Sequence, residues 1–168
     1  VRVIGIDPGT ALLGFGVVDV DDEPELVDFG AIATPSDAAM PTRLLALHTA
    51  VIELLDRYHP EVMAVEQLFF ARNVTTAITV GQARGVALLA AAQHGVPVVE
   101  YTPSQIKQAI AGYGKADKPQ MQEMVRIMLG LRDVPHPDDA ADALAVALCH
   151  GQRRAFAALT AAADEDLR

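Results

Sequence analysis

Short apolar runs closed by turn residues alternate along this chain with stretches of helical periodicity, and that order leaves few folds open. Val3-Ile4-Gly5-Ile6, closed by Asp7-Pro8-Gly9-Thr10, reads as a buried strand ending on an aspartate. Residues 14–20 and 26–34 read as two further strands joined through the acidic turn Asp21 to Glu25, so three antiparallel strands open the chain. Apolar residues Leu44, Leu47, Val51, Leu54 and Leu55 then recur at helical spacing, predicting an amphipathic helix over 42–58 that stops before Pro60. Residues 61–66 form a strand that again finishes on a carboxylate, Glu66. The run 74–80 is β-branched, yet it leads into the alanine- and leucine-rich 81–93, and the whole segment is read as one helix. A strand over 96–101 and helices over 103–111, 118–131 and 138 to at least 154 follow, with 156–168 expected as a flexible tail to a single domain over 1–155. The predicted class is α/β, with a mixed five-stranded sheet flanked by helices.

Ligands of such sheets gather at the carboxyl ends of the strands, where Asp7 and Glu66 stand. A third acidic group lies in Pro137-Asp138-Asp139-Ala140-Ala141-Asp142-Ala143-Leu144. Asp142 is four residues from Asp138 and three from Asp139, so either shares a helix face with it. Acids in a first helical turn complement the dipole. Asp142, however, lies a turn in among alanine and leucine, where an unpaired carboxylate is costly. Like charges gathered in a partly buried site need a cation, and all-oxygen donors suit Mg²⁺ or Mn²⁺.

Net charge is −9 over 168 residues, which by itself disfavours nucleic acid. The distribution reverses that inference: residues 67–132 hold 7 basic against 3 acidic residues, and Lys107, Lys115 and Lys118 fall close together there. A local cluster of this kind can hold a polyanion, although solubility lysines on a loop have the same appearance. A 51% hydrophobic composition excludes disorder, and no apolar run is long enough to span a membrane. The opening residues carry no leader pattern and a single cysteine, Cys149, allows no internal disulfide, so a cytoplasmic location is expected. Other chemistries fail on their spacing. Gly112-Tyr-Gly114-Lys115 lacks the glycine at 109 and the hydroxyl at 116 of a phosphate loop, and Asp19 stands where a dinucleotide fingerprint needs glycine. The five histidines form no pair at helical ligand spacing.

Gly-Ile-Asp7-Pro-Gly-Thr with Gly14-Phe-Gly16-Val, Val-Glu66-Gln67-Leu-Phe69-Phe-Ala-Arg72-Asn73, Gly81-Gln-Ala-Arg84-Gly85 and Asp139-Ala-Ala-Asp142-Ala-Leu-Ala occur in this order. Together they resemble the RuvC family of Holliday-junction resolvases over nearly the whole chain. The resemblance implies a ribonuclease H-like fold and a four-carboxylate set on Asp7, Glu66, Asp139 and Asp142 holding two Mg²⁺ or Mn²⁺ ions. The doubled acid leaves open whether Asp138 or Asp139 faces the metals. It also implies an aromatic at the junction centre, Phe69, with DNA contacts from Lys107 and Lys118; Arg72, Asn73 and Lys115 are further DNA-binding candidates. The implied reaction is hydrolysis of a phosphodiester to a 5′ phosphate and a 3′ hydroxyl by two-metal catalysis. Four-way junction DNA is the implied substrate, and the branch-migration motor RuvA–RuvB the implied partner.

Two rival readings belong to other classes. An actin-like phosphotransferase opens with a similar Asp-x-Gly-Thr turn but needs a second such domain, and nothing after Glu66 repeats the turn. A non-catalytic junction-binding module would not need the complete carboxylate set. A junction with two-fold strand symmetry matches a homodimer. The expected interface is the segment 74–93, through Ile78, Gly81, Gly85 and Leu89, since it has no clearly polar side. Burial of the same segment within its own domain is the alternative.

Overall fold

The computed structural model describes residues 1–21, 23–68 and 74–166. Five strands, β1 (Arg2–Asp7), β2 (Leu12–Val20), β3 (Pro24–Ala33), β4 (Val62–Glu66) and β5 (Val98–Tyr101), form one sheet in the order β3-β2-β1-β4-β5. The first three pair antiparallel, whereas β4 joins β1, and β5 joins β4, in parallel. Parallel pairing requires crossovers, and these are α1 (Met40–Tyr58) and α2 (Val74–Gln93). The chain continues through α3 (Pro103–Ala111), α4 (Lys118–Met128) and α5 (Asp138–Asp166).

Both faces of the sheet are covered, which is why β1 and β4 read as near-continuous apolar runs. Ile4, Ile6, Met63 and Val65 lie on one face with Leu47 and Val51 of α1 and Ala83 and Ala87 of α2. Val3, Val18 and Ala64 lie on the other with Ile106, Val125 and Leu144 of α3, α4 and α5. Full burial of a side chain such as Ile4 or Ile6 contributes about 1.5–3 kcal/mol.

Two expectations change. The segment from Phe156 continues α5 to Asp166 rather than leaving the helix as a tail, because its alanines are strong helix formers. Phe156 and Leu159 on it are exposed. Helix α4 ends at Met128, with Gly130 in a left-handed conformation, instead of reaching 131. The β-branched run at 74–80 is helical as read, since α2 packs along α1 through Ala83, Ala87, Ala90 and Ala91 and tertiary contact overrides local propensity.

Helix α5 sits unusually close to the sheet, and glycine makes that possible. A Cβ on Gly14 would stand 2.0 Å from the Asp139 carbonyl oxygen, and one on Gly5 2.0 Å from that of Ala143. Gly14 is also the residue paired with Asp7 across β1 and β2, so a single close approach sets the start of α5 against the end of β1. Gly14→Ala is expected to destabilise the protein by about 1–3 kcal/mol, because rigid backbone rather than a side-chain tip must move. Urea denaturation checks this.

Candidate active site

Asp7 is placed by its position as the last residue of β1, and Glu66 by the same position on the neighbouring β4. Asp139 and Asp142 come from the first two turns of α5, seated on Gly14. Asp7 is the electrostatic centre of the group. Burial, then the carboxylates of Asp142, Asp139 and Glu66, push its pKa up to about 7, against the partial opposition of Lys118. Glu66 is raised as well, by burial first and by Asp142 second, with Lys107 opposing. Of the four carboxylates singled out in the sequence, Asp7 at the end of β1 is thus within electrostatic reach of the other three.

Glu66 separates two adjoining clefts. One, of about 210 Å³, is lined by Glu66, Lys107, Lys118 and Asp142 over an apolar floor that includes Ile106 and Met121. The other, of about 340 Å³, is lined by Asp7, Pro8, Glu66, Gln67, Leu68 and Val80. The cations are held by capped helices. Lys107 lies on α3, whose N-terminus is closed by a reciprocal Thr102–Gln105 capping box. Lys118 is the first residue of α4, behind an equivalent Asp117–Gln120 box. Lys115 is exposed on the loop between these helices and lines neither cleft.

Lys118 is engaged by two carboxylates of α5. Its Nζ donates to Asp142 Oδ2 at 3.0 Å and lies 3.2 Å from Asp138 Oδ2. Burial alone would lower its pKa, but the hydrogen bond and charge of Asp142, then those of Asp138, raise it. Asp138 is further tied by Gln122, whose Nε2 donates to Oδ1 at 2.9 Å. Gln122 is not among the residues the sequence singles out; its i, i+4 relation to Lys118 on α4 is the available signal. Asp138 lies low in pKa, through Gln122 first and Lys118 second.

Phe69, Arg72 and Asn73 lie outside the described residues. On α2, Ile78 is 58% and Leu89 53% exposed, and Gly85 has open space where a side chain would project. Gly81 is half-buried, with Leu68 3.8 Å from where its Cβ would be.

The profile of the family described as "Crossover junction endodeoxyribonuclease RuvC" matches residues 3–150. The chain belongs to the RuvC family. A Chloroflexus aggregans crossover junction endodeoxyribonuclease RuvC is 61% identical over 150 residues, covering 89% of this chain and 92% of that protein. The Thermus thermophilus RuvC structure superposes with a TM-score of 0.87 at 42% identity, covering 94% of this chain and 97% of that one. T. thermophilus RuvC in complex with Holliday junction substrate gives a TM-score of 0.88 at the same identity, covering 93% and 96%. The expected RuvC fold, ribonuclease H-like with a mixed five-stranded sheet, is the observed one. The activity follows with the family: this RuvC member is a Holliday-junction-resolving endonuclease acting in DNA recombination and repair.

Among the described residues no three acidic, histidine or cysteine side chains stand close enough together to hold a metal ion as they are. The donor set of this RuvC site nevertheless fits a hard divalent cation. All its donors are carboxylate oxygens, and the repulsion that raises Asp7 is the kind a cation relieves. Between the doubled acids the surroundings differ. Asp139 is half-buried and its charge is felt at Asp7, whereas Asp138 is exposed and already engaged by Gln122 and Lys118. Asp139→Asn is therefore expected to slow cleavage at least about 100-fold and Asp138→Asn only about tenfold. Single-turnover rates on a labelled junction check the ranking.

Proposed function

We propose that the protein resolves four-way DNA junctions as a homodimer, each active site hydrolysing one of two strands of like polarity, with two divalent ions, Mg²⁺ or Mn²⁺, held by Asp7, Glu66, Asp139 and Asp142. The observation that carries this reading is the half-buried Asp7 carboxyl, raised to about 7 by burial and by Asp142, Asp139 and Glu66, in a cleft that shares Glu66 with a second cleft lined by Asp142, Lys107 and Lys118. Metal dependence fits the family, and what the cations supply when bound is activation of water and neutralisation of charge on the phosphate.

The chain's own residues bind and orient. Asp7 and Glu66, fixed on adjacent strand ends, hold their oxygens still with little reorganisation. Lys107 takes a backbone phosphate beside Glu66, and Lys115 and Arg72 extend the same contact along a strand. Phe69 stacks on an unpaired base at the junction centre, with Asn73 beside the backbone; stacking of this kind is worth about 1–3 kcal/mol. Residues 1–155 act as the catalytic domain, in the bacterial cytoplasm, and RuvA–RuvB delivers the junction. The reading is tested by mapping nicks on a junction labelled in each strand. Two symmetric nicks sealed by DNA ligase are expected, since a 5′ phosphate and 3′ hydroxyl can be rejoined. A solitary nick, or ends that ligase cannot seal, contradicts it.

The dimer is assigned to the outer side of α2. Ile78, Gly85 and Leu89 project away from the alanines that pack on α1, and the exposed apolar side chains there are what a second copy would cover. Gly85→Leu offers a clean test because the added side chain meets nothing within 4 Å. The monomer should be at least as stable, since leucine exceeds glycine in helix propensity by about 0.8 kcal/mol. Sedimentation is expected to show weakened dimerisation, and a cruciform plasmid to accumulate singly nicked product.

A further inference from the structure

Lys118 and Gln122 stand one turn apart on α4 and grip the two oxygens of Asp138 separately: Gln122 Nε2 is 2.9 Å from Oδ1 and Lys118 Nζ is 3.2 Å from Oδ2. The same ammonium reaches Asp142, one turn further along α5, at 3.0 Å. Asp138 and Asp142 thus share one cation between them. Under the reading that Asp142 binds a divalent ion, that ion weakens the hold of Asp142 on the ammonium, because both cations draw on the charge of one carboxylate and repel each other. Asp138 is the carboxylate left to Lys118, and Gln122 keeps it turned toward α4. The backbone of Lys118 is fixed by the Asp117–Gln120 capping box, so only its side chain need swing. Its side chain is half exposed, which leaves the ammonium open to a DNA phosphate at the mouth of the cleft.

We propose that Asp138, steered by Gln122, is a positioning residue that retains the Lys118 ammonium beside the carboxylate cluster for contact with the phosphate under attack, and is not itself a metal ligand. The doubled acid of this chain thereby gains a role distinct from that of Asp139. This inference rests on the proposed reading of Asp142 as a metal-binding residue.

The test uses the full chain with the variants Asp138→Asn, Asp138→Glu, Lys118→Ala and the double variant Lys118→Ala/Asp138→Asn. Single-turnover cleavage of a four-way junction is followed across a Mg²⁺ titration. Asp138→Asn is expected to lower the maximal rate about tenfold, with Asp138→Glu restoring most of it. In the Lys118→Ala background the same change should cost less than about twofold, because its effect runs through the lysine. The Mg²⁺ concentration for half-maximal rate should move less than about twofold, whereas loss of a ligand would raise it by about tenfold or more. The melting temperature should stay within about 1–2 °C, since an exposed ion pair contributes little stability.

A second readout needs no cleavage: with Mg²⁺ bound, the NMR signal of the Lys118 ε-methylene should report a restrained side chain in the wild type and a mobile one in Asp138→Asn. A tenfold rise in the Mg²⁺ requirement, a full tenfold loss persisting without Lys118, or a lysine equally mobile in both proteins would overturn the proposal. Failure of the functional reading would instead appear in the wild type, as a junction left uncut with Mg²⁺, and the lysine mobility would still decide the role of Asp138.

Discussion

Asp7→Asn is expected to reduce junction cleavage at least about a thousandfold, removing a catalytic contribution of about 4 kcal/mol or more. The amide keeps the volume and one acceptor oxygen at the end of β1, so the fold and the neighbouring Gly14 pairing should persist. It removes the charge at the point where Asp142, Asp139 and Glu66 all act. A gel-shift measurement with Ca²⁺ or EDTA should find junction affinity within about threefold of wild type, since the proposed function gives the phosphate contacts to lysines rather than to this carboxylate. Loss of binding together with cleavage would show that Asp7 organises the surface and not only the chemistry.

The same substitution should stabilise the metal-free protein at alkaline pH. Burial and three like charges raise the folded-state pKa of Asp7 to about 7, above its ordinary value of 3.8. The folded state therefore binds the proton more tightly than the unfolded chain. Stability from that proton is fully present below about pH 3.8 and is lost as pH rises through about 7. The loss amounts to about 2–4 kcal/mol for a shift of this size, and a neutral amide at this position would not suffer it. In EDTA at pH 8 the variant should melt roughly 5 to 15 °C above wild type, and the gap should close toward pH 4. Added Mg²⁺ should narrow it at pH 8 by stabilising wild type alone. Equal melting temperatures at pH 8 without metal would mean that Asp7 is better solvated than its surroundings indicate.

What the sequence makes legible is what depends on local pattern. Asp7 and Glu66 can be placed because each closes a short apolar run, and strand ends are where a sheet of this order presents its site. Asp142 stands out as a charge among alanines. The contacts of Lys118 with Asp138 and Asp142 are not legible, since they arise from the packing of α4 against α5, two helices whose relative placement no spacing rule encodes. Gln122 escapes notice for the same reason. The acids at 164–166 suggest a tail and so an early end to α5, yet the alanine-rich sequence before them carries the helix to Asp166. The close seat of α5 on Gly5 and Gly14 is hidden as well, because a glycine's sequence context does not reveal which backbone approaches it.

That these carboxylates cut junction DNA with the help of a divalent cation is tested most directly on the wild-type protein. It is incubated with a labelled four-way junction and with a linear duplex of the same sequence, each titrated with Mg²⁺ or Mn²⁺ from zero. The expected result is no cutting without metal, cutting of the junction that saturates with metal, and an intact duplex at the same enzyme concentration. A junction that is bound but never cut with either ion, or a duplex cut as fast as the junction, would contradict it.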